Sequence, residues 1–340
     1  MNLIIATPLL GRSVSGNRIT AYRWAALLRS LGHTAEVVPV DEFPRRPDRF
    51  DGLIALHAVK SHGAIDRWAR ECPGRPLAVC LTGTDLHTDL RRPDSEPGQQ
   101  ALKSLDRANR IILLEPRGRR HLADRHQHKS LVIFQSARPL SAPPQPVADR
   151  FVVTVVGHLR DVKDPFRTEI ASRQLPAASR ICVVHIGMAM QPGLAEEAVG
   201  RQGENSRYHW QGELNHAATR RWLAGSQLTV ISSRQEGAPS VISEAVVDGI
   251  PVLATRIDGC VGLLGEDYPG LFEVGESREL AGLLSRCEND PAFYRGLQAA
   301  LGQRAGWFAP ARERESLRQL LVDLVSPPTG PAGRSGPPDG

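Results

Sequence analysis

The sequence predicts an α/β protein built from two Rossmann-like halves that face each other across a cleft. Three observations carry this. Short apolar runs alternate with helical patterns in two separate series. Runs such as Ile111-Ile112-Leu113-Leu114 are apolar on both faces, the mark of a parallel sheet covered by helices on each side. A proline-rich break separates the two series, and 340 residues suffice for two domains.

The first series, residues 1–137, opens with a strand at Leu3 to Ala6. A Gly/Ser loop follows, then a helix at Ile19 to Leu31, whose Ala21, Trp24, Ala25 and Leu28 recur at helical spacing and which Gly32 closes. Further strands are expected at Ala35 to Val40, Gly52 to Leu56, Leu77 to Leu81, Arg110 to Leu114 and Leu131 to Phe134. Helical patterns fill the gaps at Gly63 to Cys72, Gln99 to Ala108 and Arg117 to Arg125. Trp24 and Trp68 lie on helix faces and are expected in the core. Residues 138–150, with prolines at 139, 143, 144 and 146, form a stiff extended linker. The second series, residues 151–325, places strands at Phe151 to Val156, Ile181 to Ile186, Arg207 to Gln211, Leu228 to Ser232 and Val252 to Ala254. Helices are expected between them and at Glu279 to Leu284, Pro291 to Gly302 and Pro310 to Leu324; the last could cross back to the first domain. The Pro- and Gly-rich end, residues 326–340, reads as a disordered tail.

Two carboxylates stand out in the run Glu236-Gly237-Ala238-Pro239-Ser240-Val241-Ile242-Ser243-Glu244. Glu236 falls in the loop after a strand, and Glu244 about two turns into the next helix. The free N–H groups and positive dipole end of that helix point at the same crevice. Such a site suits a molecule carrying both hydroxyls and phosphate, and a nucleotide sugar is one.

Composition narrows the function classes. Apolar content of 41% is ordinary for a globular protein, and no window reaches the ~20 apolar residues that cross a bilayer. The first residues read as a strand and not a signal peptide. Five scattered cysteines, with no Cys-x-x-Cys, argue for a reducing cytoplasm and against a structural zinc site. The net charge of +5 is carried by arginines spread along the chain without interleaved aromatics, which argues against nucleic acid as partner.

The carboxylate pair, the strand-end run Gly157-His158-Leu159-Arg160-Asp161-Val162-Lys163-Asp164 and Gly212-Glu213-Leu214 resemble the retaining glycosyltransferases of GT-B architecture. That resemblance implies that Glu236 meets the donor hexose, Glu244 the ribose diol and Lys163 the diphosphate. It also implies that the backbone of Gly237, Ala238, Pro239 and Ser240 supports sugar and phosphates, while Glu213 and Leu214 border the uracil. His158 stands where the family carries arginine, and Arg160 takes that role in this reading, its guanidinium fork matching phosphate oxygens.

A narrower resemblance spans both halves. Gly16-Asn17-Arg18-Ile19-Thr20 with Arg23-Trp24, Leu56-His57-Ala58 and Leu81-Thr82-Gly83-Thr84-Asp85-Leu86 belong to it. So do Gly157 to Pro165 and Gly262-Leu263-Leu264-Gly265-Glu266-Asp267-Tyr268-Pro269-Gly270. Together they resemble the selenosugar synthases of selenoneine biosynthesis. The resemblance implies transfer of a hexose from UDP-glucose or UDP-N-acetylglucosamine to selenophosphate, with a new carbon–selenium bond and no metal or other cofactor. No Asp-x-Asp, the usual manganese signature of the other glycosyltransferase architecture, is present. The catalytic set in this reading is Glu236, Lys163, Arg160, His57 and Asp85. The acceptor pocket is drawn from Gly16, Asn17, Arg18, Lys60, Thr82, Gly83 and Thr84. Asp85 also reads as a helix N-cap, and Gly262 to Gly270 as a lid or donor-contacting loop. Two rival readings stay open: a conventional glycosyltransferase with a hydroxyl acceptor, and a nucleotide-sugar-binding sensor without turnover.

Overall fold

A computed structural model describes residues 1–8, 16–145 and 149–325. The expected tail at 326–340 and the first part of the Gly/Ser loop lie outside the described residues.

The chain folds into two six-stranded parallel sheets. In lobe 1 the strands are β1 (Asn2–Thr7), β2 (Thr34–Pro39), β3 (Gly52–Leu56), β4 (Leu77–Cys80), β5 (Arg110–Leu113) and β6 (Ser130–Val132), in spatial order β2-β1-β3-β4-β5-β6. In lobe 2 they are β7 (Phe151–Val156), β8 (Ile181–Ile186), β9 (Tyr208–Trp210), β10 (Leu228–Ile231), β11 (Val252–Thr255) and β12 (Leu271–Phe272), in order β12-β11-β10-β7-β8-β9. Every neighbouring pair runs parallel, and the central strands are buried on both faces. Each order reverses once, between β1 and β3 in lobe 1 and between β7 and β10 in lobe 2. Ligands of such sheets bind beyond the carboxyl ends of the strands at that reversal.

The helices of lobe 1 are α1 (Gly16–Ser30), α2 (His62–Glu71), α3 (Glu96–Arg107) and the one-turn α4 (Asp124–Gln127). Trp24 on α1 and Trp68 on α2 are fully buried, so the 3.6-residue period located both core faces. Lobe 2 carries α5 (Arg167–Ser172), α6 (Leu194–Glu204), α7 (His216–Ala224), α8 (Ser240–Val247), α9 (Asp258–Leu264), α10 (Ser277–Asn289) and α11 (Pro291–Gly302). The last helix, α12 (Pro310–Val325), buries Leu317, Leu320, Leu321 and Leu324 in the core of lobe 1. Its Glu313 is buried there, taking the Trp24 indole N–H at 2.7 Å, the Arg23 guanidinium at 2.9 Å and the Ser136 backbone N–H at 3.0 Å.

Three expectations need correction. The helix expected at Arg117 to Arg125 is instead a 3₁₀ stretch, Pro116–His121, followed by α4. Gly118 is buried there against Leu86, Leu113 and Glu115, where a regular helix would not bring it. Strand β12 was not anticipated, because two residues carry no periodic signal. The Gly262 to Gly270 motif is not a lid. It holds the end of α9 and a turn at Gly265, φ +96°, leading into β12, with Tyr268 buried and its hydroxyl bonded to Val252 on β11.

Candidate active site

The donor side is built by the two loops that flank the lobe 2 reversal. After β7 the chain turns through a 3₁₀ segment, Asp161–Lys163, and leaves it with Asp164 in the left-handed region at φ 45°. That turn carries Lys163 Nζ to 2.5 Å from Glu236 Oε1, on the loop after β10. Ser233 Oγ donates to the same oxygen at 2.5 Å. One Glu236 oxygen is therefore held twice, and Oε2 takes no hydrogen bond from the described residues. His158 accepts the Met188 backbone N–H on Nδ1 at 3.1 Å, and burial pushes its pKa down. The ring at the expected arginine position is thus a neutral imidazole.

Helix α8 begins at Ser240 after Pro239, with no side-chain cap, so its first N–H groups open into the cleft. Glu244, about one turn further on, is buried. It accepts from His216 Nε2 at 2.9 Å and lies 3.8 Å from the Arg220 guanidinium. Arg220 is in turn fixed by Asp248 at 2.8 Å and by the Arg138 carbonyl at 3.0 Å. Glu244 and its neighbours Gly157, His158, Glu213, Leu214 and Ser240 line a pocket of about 160 Å³. Lys163 and Ser240 belong both to this pocket and to the larger cleft between the lobes, of about 320 Å³.

Lobe 1 closes the other side of that cleft. His57 follows β3 and adopts φ 72°, a strained value for a non-glycine residue. Nearby groups hold it there. The Lys60 N–H donates to Nδ1 at 3.3 Å, which leaves the proton on Nε2 to donate to Thr84 Oγ1 at 2.8 Å. Asp85, fully buried, explains why the wall is rigid. It accepts the backbone N–H groups of Thr82, Gly83 and Leu86 on Oδ1 at 2.9–3.1 Å and that of Ala58 on Oδ2 at 2.9 Å. The loops after β3 and β4 are thereby tied together.

Of the residues singled out from sequence, Gly16, Asn17, His57, Lys60, Thr82, Gly83, Thr84, Arg160, Lys163 and Glu236 to Ser240 line the cleft. Glu213, Leu214 and Glu244 line the adjoining pocket. Two do not reach either. Asp85 has its oxygens occupied by backbone amides beneath the wall, so the structure gives it a positioning role and not a catalytic one. Arg18 lies over the Tyr22 ring, 5.9 Å from its centroid. The sequence reading missed Ser233, His216, Arg220, Gln135 and Gln235; none belongs to a spacing pattern, and only the folded loops bring them to the site. Among the described residues, the charged side chains on the cleft wall are Lys60, Arg160, Lys163 and Glu236, which leaves it positive.

The lobes meet tightly. A Cβ on Gly237 would stand 2.4 Å from the Thr82 carbonyl oxygen, so glycine is what allows the approach. Gln235 and Thr88 exchange a hydrogen bond at 3.0–3.1 Å. Asp258 of α9 accepts from His121 at 2.6 Å and from Arg117 at 3.2 Å, and Arg120 binds it as well. Glu115 is buried at this seam against Gly262, and burial pushes its pKa up to about 7. The same desolvation pushes His121 down to about 4.

Comparison with known proteins agrees with this architecture. Residues 139–305, essentially lobe 2, match the family described as Glycosyl transferases group 1. Among solved structures, HepE from Anabaena in complex with UDP-glucose aligns with a TM-score of 0.75 at 18% identity, covering 95% of this chain and 100% of that one. Sucrose-phosphate synthase from Thermosynechococcus elongatus aligns with a TM-score of 0.75 at 15% identity, over 95% and 99% of the two chains. A glycosyltransferase from Rickettsia africae gives 0.73 at 14% identity, over 96% and 99%. At such identities the likeness is one of fold, and the fold is GT-B.

Proposed function

We propose that this protein is a cytoplasmic glycosyltransferase that moves a hexose from UDP-glucose or UDP-N-acetylglucosamine to selenophosphate, as the selenosugar synthase resemblance implies. The observation that carries the donor reading is the continuity of the two pockets through Lys163 and Ser240. Glu244 stands at one end, buried and oriented by His216, where a ribose diol can donate to it. Glu213 and Leu214 border the space beside it for the base. The uncapped N-terminus of α8, Lys163 and Arg160 fall between, at the span a diphosphate occupies. Glu236 comes next, with Oε2 free to accept from hexose hydroxyls.

In this reading the bond from hexose C1 to the diphosphate oxygen breaks, and its electron pair stays on UDP. The charge that builds there is met by Lys163, Arg160 and the α8 amides, groups already in place before reaction. Selenium of selenophosphate supplies the electron pair for the new C1–Se bond. Because that nucleophile is already anionic, no side chain has to remove a proton. Lys60 and the Thr82 to Thr84 backbone line the cleft on the acceptor side, and the positive wall favours an anion there. The five cysteines are free and buried, in keeping with a reducing compartment.

One observation supports the hydroxyl-acceptor alternative. His57 lines the cleft with Nε2 2.8 Å from Thr84 Oγ1, an imidazole within reach of an acceptor hydroxyl. Incubation with each UDP-sugar and either selenophosphate or a panel of hydroxyl acceptors, read by mass spectrometry, separates the two. A selenium-containing hexose with stoichiometric UDP supports the proposal. No UDP release with selenophosphate, or a glycoside formed without selenium, rejects it.

A further inference from the structure

A second cavity of about 220 Å³, lined from both lobes, adjoins the main cleft and shares Gln235 and Glu236 with it. Lobe 1 contributes His87 and Arg91; lobe 2 contributes Arg234, Gln235, Glu236, Ile257 and Asp258. We propose that this cavity is a binding site for a tetrahedral oxyanion of the phosphate type, clasped between Arg91 of one lobe and Arg234 of the other, with His87 at its floor.

Three observations carry it. First, the arginines have charge to spare. Arg91 forms no ion pair among the described residues, and Arg234 reaches only Asp164, at 3.5 Å. That carboxylate is already held by Arg167 at 3.0 and 3.3 Å. Second, both carboxylates that could oppose an anion are countered: Glu236 holds Lys163 and Ser233, and Asp258 is held from the facing lobe. Asp258 carries Arg117, Arg120 and His121. Third, His87 is buried and its Nε2 has no partner. Burial, then the nearby Arg91, holds this ring neutral. A buried unpaired ring nitrogen is costly unless a ligand satisfies it. The hydroxyl of a monoprotonated phosphate can do so, while its remaining oxygens take the two guanidinium forks.

His87, His121 and Asp258 also sit close enough to suggest a cation, their donor atoms within 4.8 Å of one another. The chemistry points the other way. His121 Nε2 and Asp258 Oδ2 are 2.6 Å apart, a hydrogen-bond length. Two ligands of a tetrahedral zinc, each at ~2.0–2.1 Å, stand roughly 3.3 Å apart. Two guanidiniums on Asp258, and a third at Arg91, would also repel a dication.

An anion held by Arg91 and Arg234 together would draw the two lobes closed beside Gln235 and Glu236. The clasp does not depend on the identity of the donor sugar. Calorimetric titration of the full chain with inorganic phosphate, with and without saturating UDP, tests it. Phosphate binding should persist in the presence of UDP and weaken at least tenfold in Arg91→Ala and in Arg234→Ala. The proposal is overturned by any of four results: no phosphate binding, binding abolished by UDP, binding unchanged in both variants, or zinc binding that His87→Gln removes. If UDP itself fails to bind while phosphate binding still needs both arginines, the donor reading fails and the clasp stands.

Discussion

Gly237→Ala tests whether the contact between the lobes sets the catalytic geometry. The added Cβ would lie 2.4 Å from the Thr82 carbonyl oxygen and 2.9 Å from Gly83 Cα, both backbone atoms of the opposite lobe. Ordinary contact begins near 3.4 Å, so the lobes must part by about 1 Å at the cleft floor. Thr82 cannot yield easily, because its loop is pinned by Asp85 through three backbone N–H groups. A displacement of ~1 Å between reacting groups can lower turnover ~100-fold, or about 2.7 kcal/mol in the barrier. UDP is bound by lobe 2 residues in the proposed reading, so its affinity should stay within about twofold. The assay is kcat from UDP release beside the Kd for UDP by calorimetry. Gly282→Ala, at an exposed position of α10 with open space around it, serves as control and should leave kcat unchanged while adding roughly 0.5–1 kcal/mol of stability. Wild-type kcat in Gly237→Ala would refute the argument that this contact positions the two halves of the site.

Lys163→Met should lower kcat ~100- to 1,000-fold, since it removes a fixed cation from the departing diphosphate and frees the Glu236 oxygen it holds. Glu244→Gln should weaken UDP binding ~10-fold or more while leaving pyrophosphate affinity unchanged, because only the ribose end loses its charged acceptor; equal loss for both ligands would contradict the assignment. Glu115→Gln should alter the pH dependence of stability. The folded-state pKa of Glu115 is raised from 4.5 to about 7, so the native chain holds a proton the unfolded chain releases, and stability declines as pH rises from 4.5 to about 7. The glutamine variant escapes that decline and should gain ~3 kcal/mol on wild type above pH 7, with no gain below pH 4.5, as read by denaturant unfolding across that range. A pH-independent difference would show that Glu115 is ionised throughout.

Much of this protein was legible in its sequence because the signals are local. Buried parallel strands read as apolar runs, Trp24 and Trp68 fell on helix faces, and Gly32 closed α1 with φ +85°. Glu236 and Glu244 could be assigned to a strand-end loop and the helix after it, since strand, proline and helix follow one another within a few residues. What failed was also physical. The stretch Arg117 to Arg125 has helix-forming residues but is pulled into 3₁₀ and one-turn pieces by its packing at the seam. Asp85 looked catalytic because a lone carboxylate gives no sign of how many amides it will satisfy.

The sequence by itself determined the two α/β lobes and the loops after β7 and β10, because periodicity, proline and glycine act within a few residues. Tertiary structure alone decided that Lys163 pairs with Glu236, that His216 and Arg220 orient Glu244, and that Gly237 meets Thr82 across the cleft. Those contacts join residues 24 to 155 positions apart. Strand order and lobe docking set them, and neither is written in local pattern.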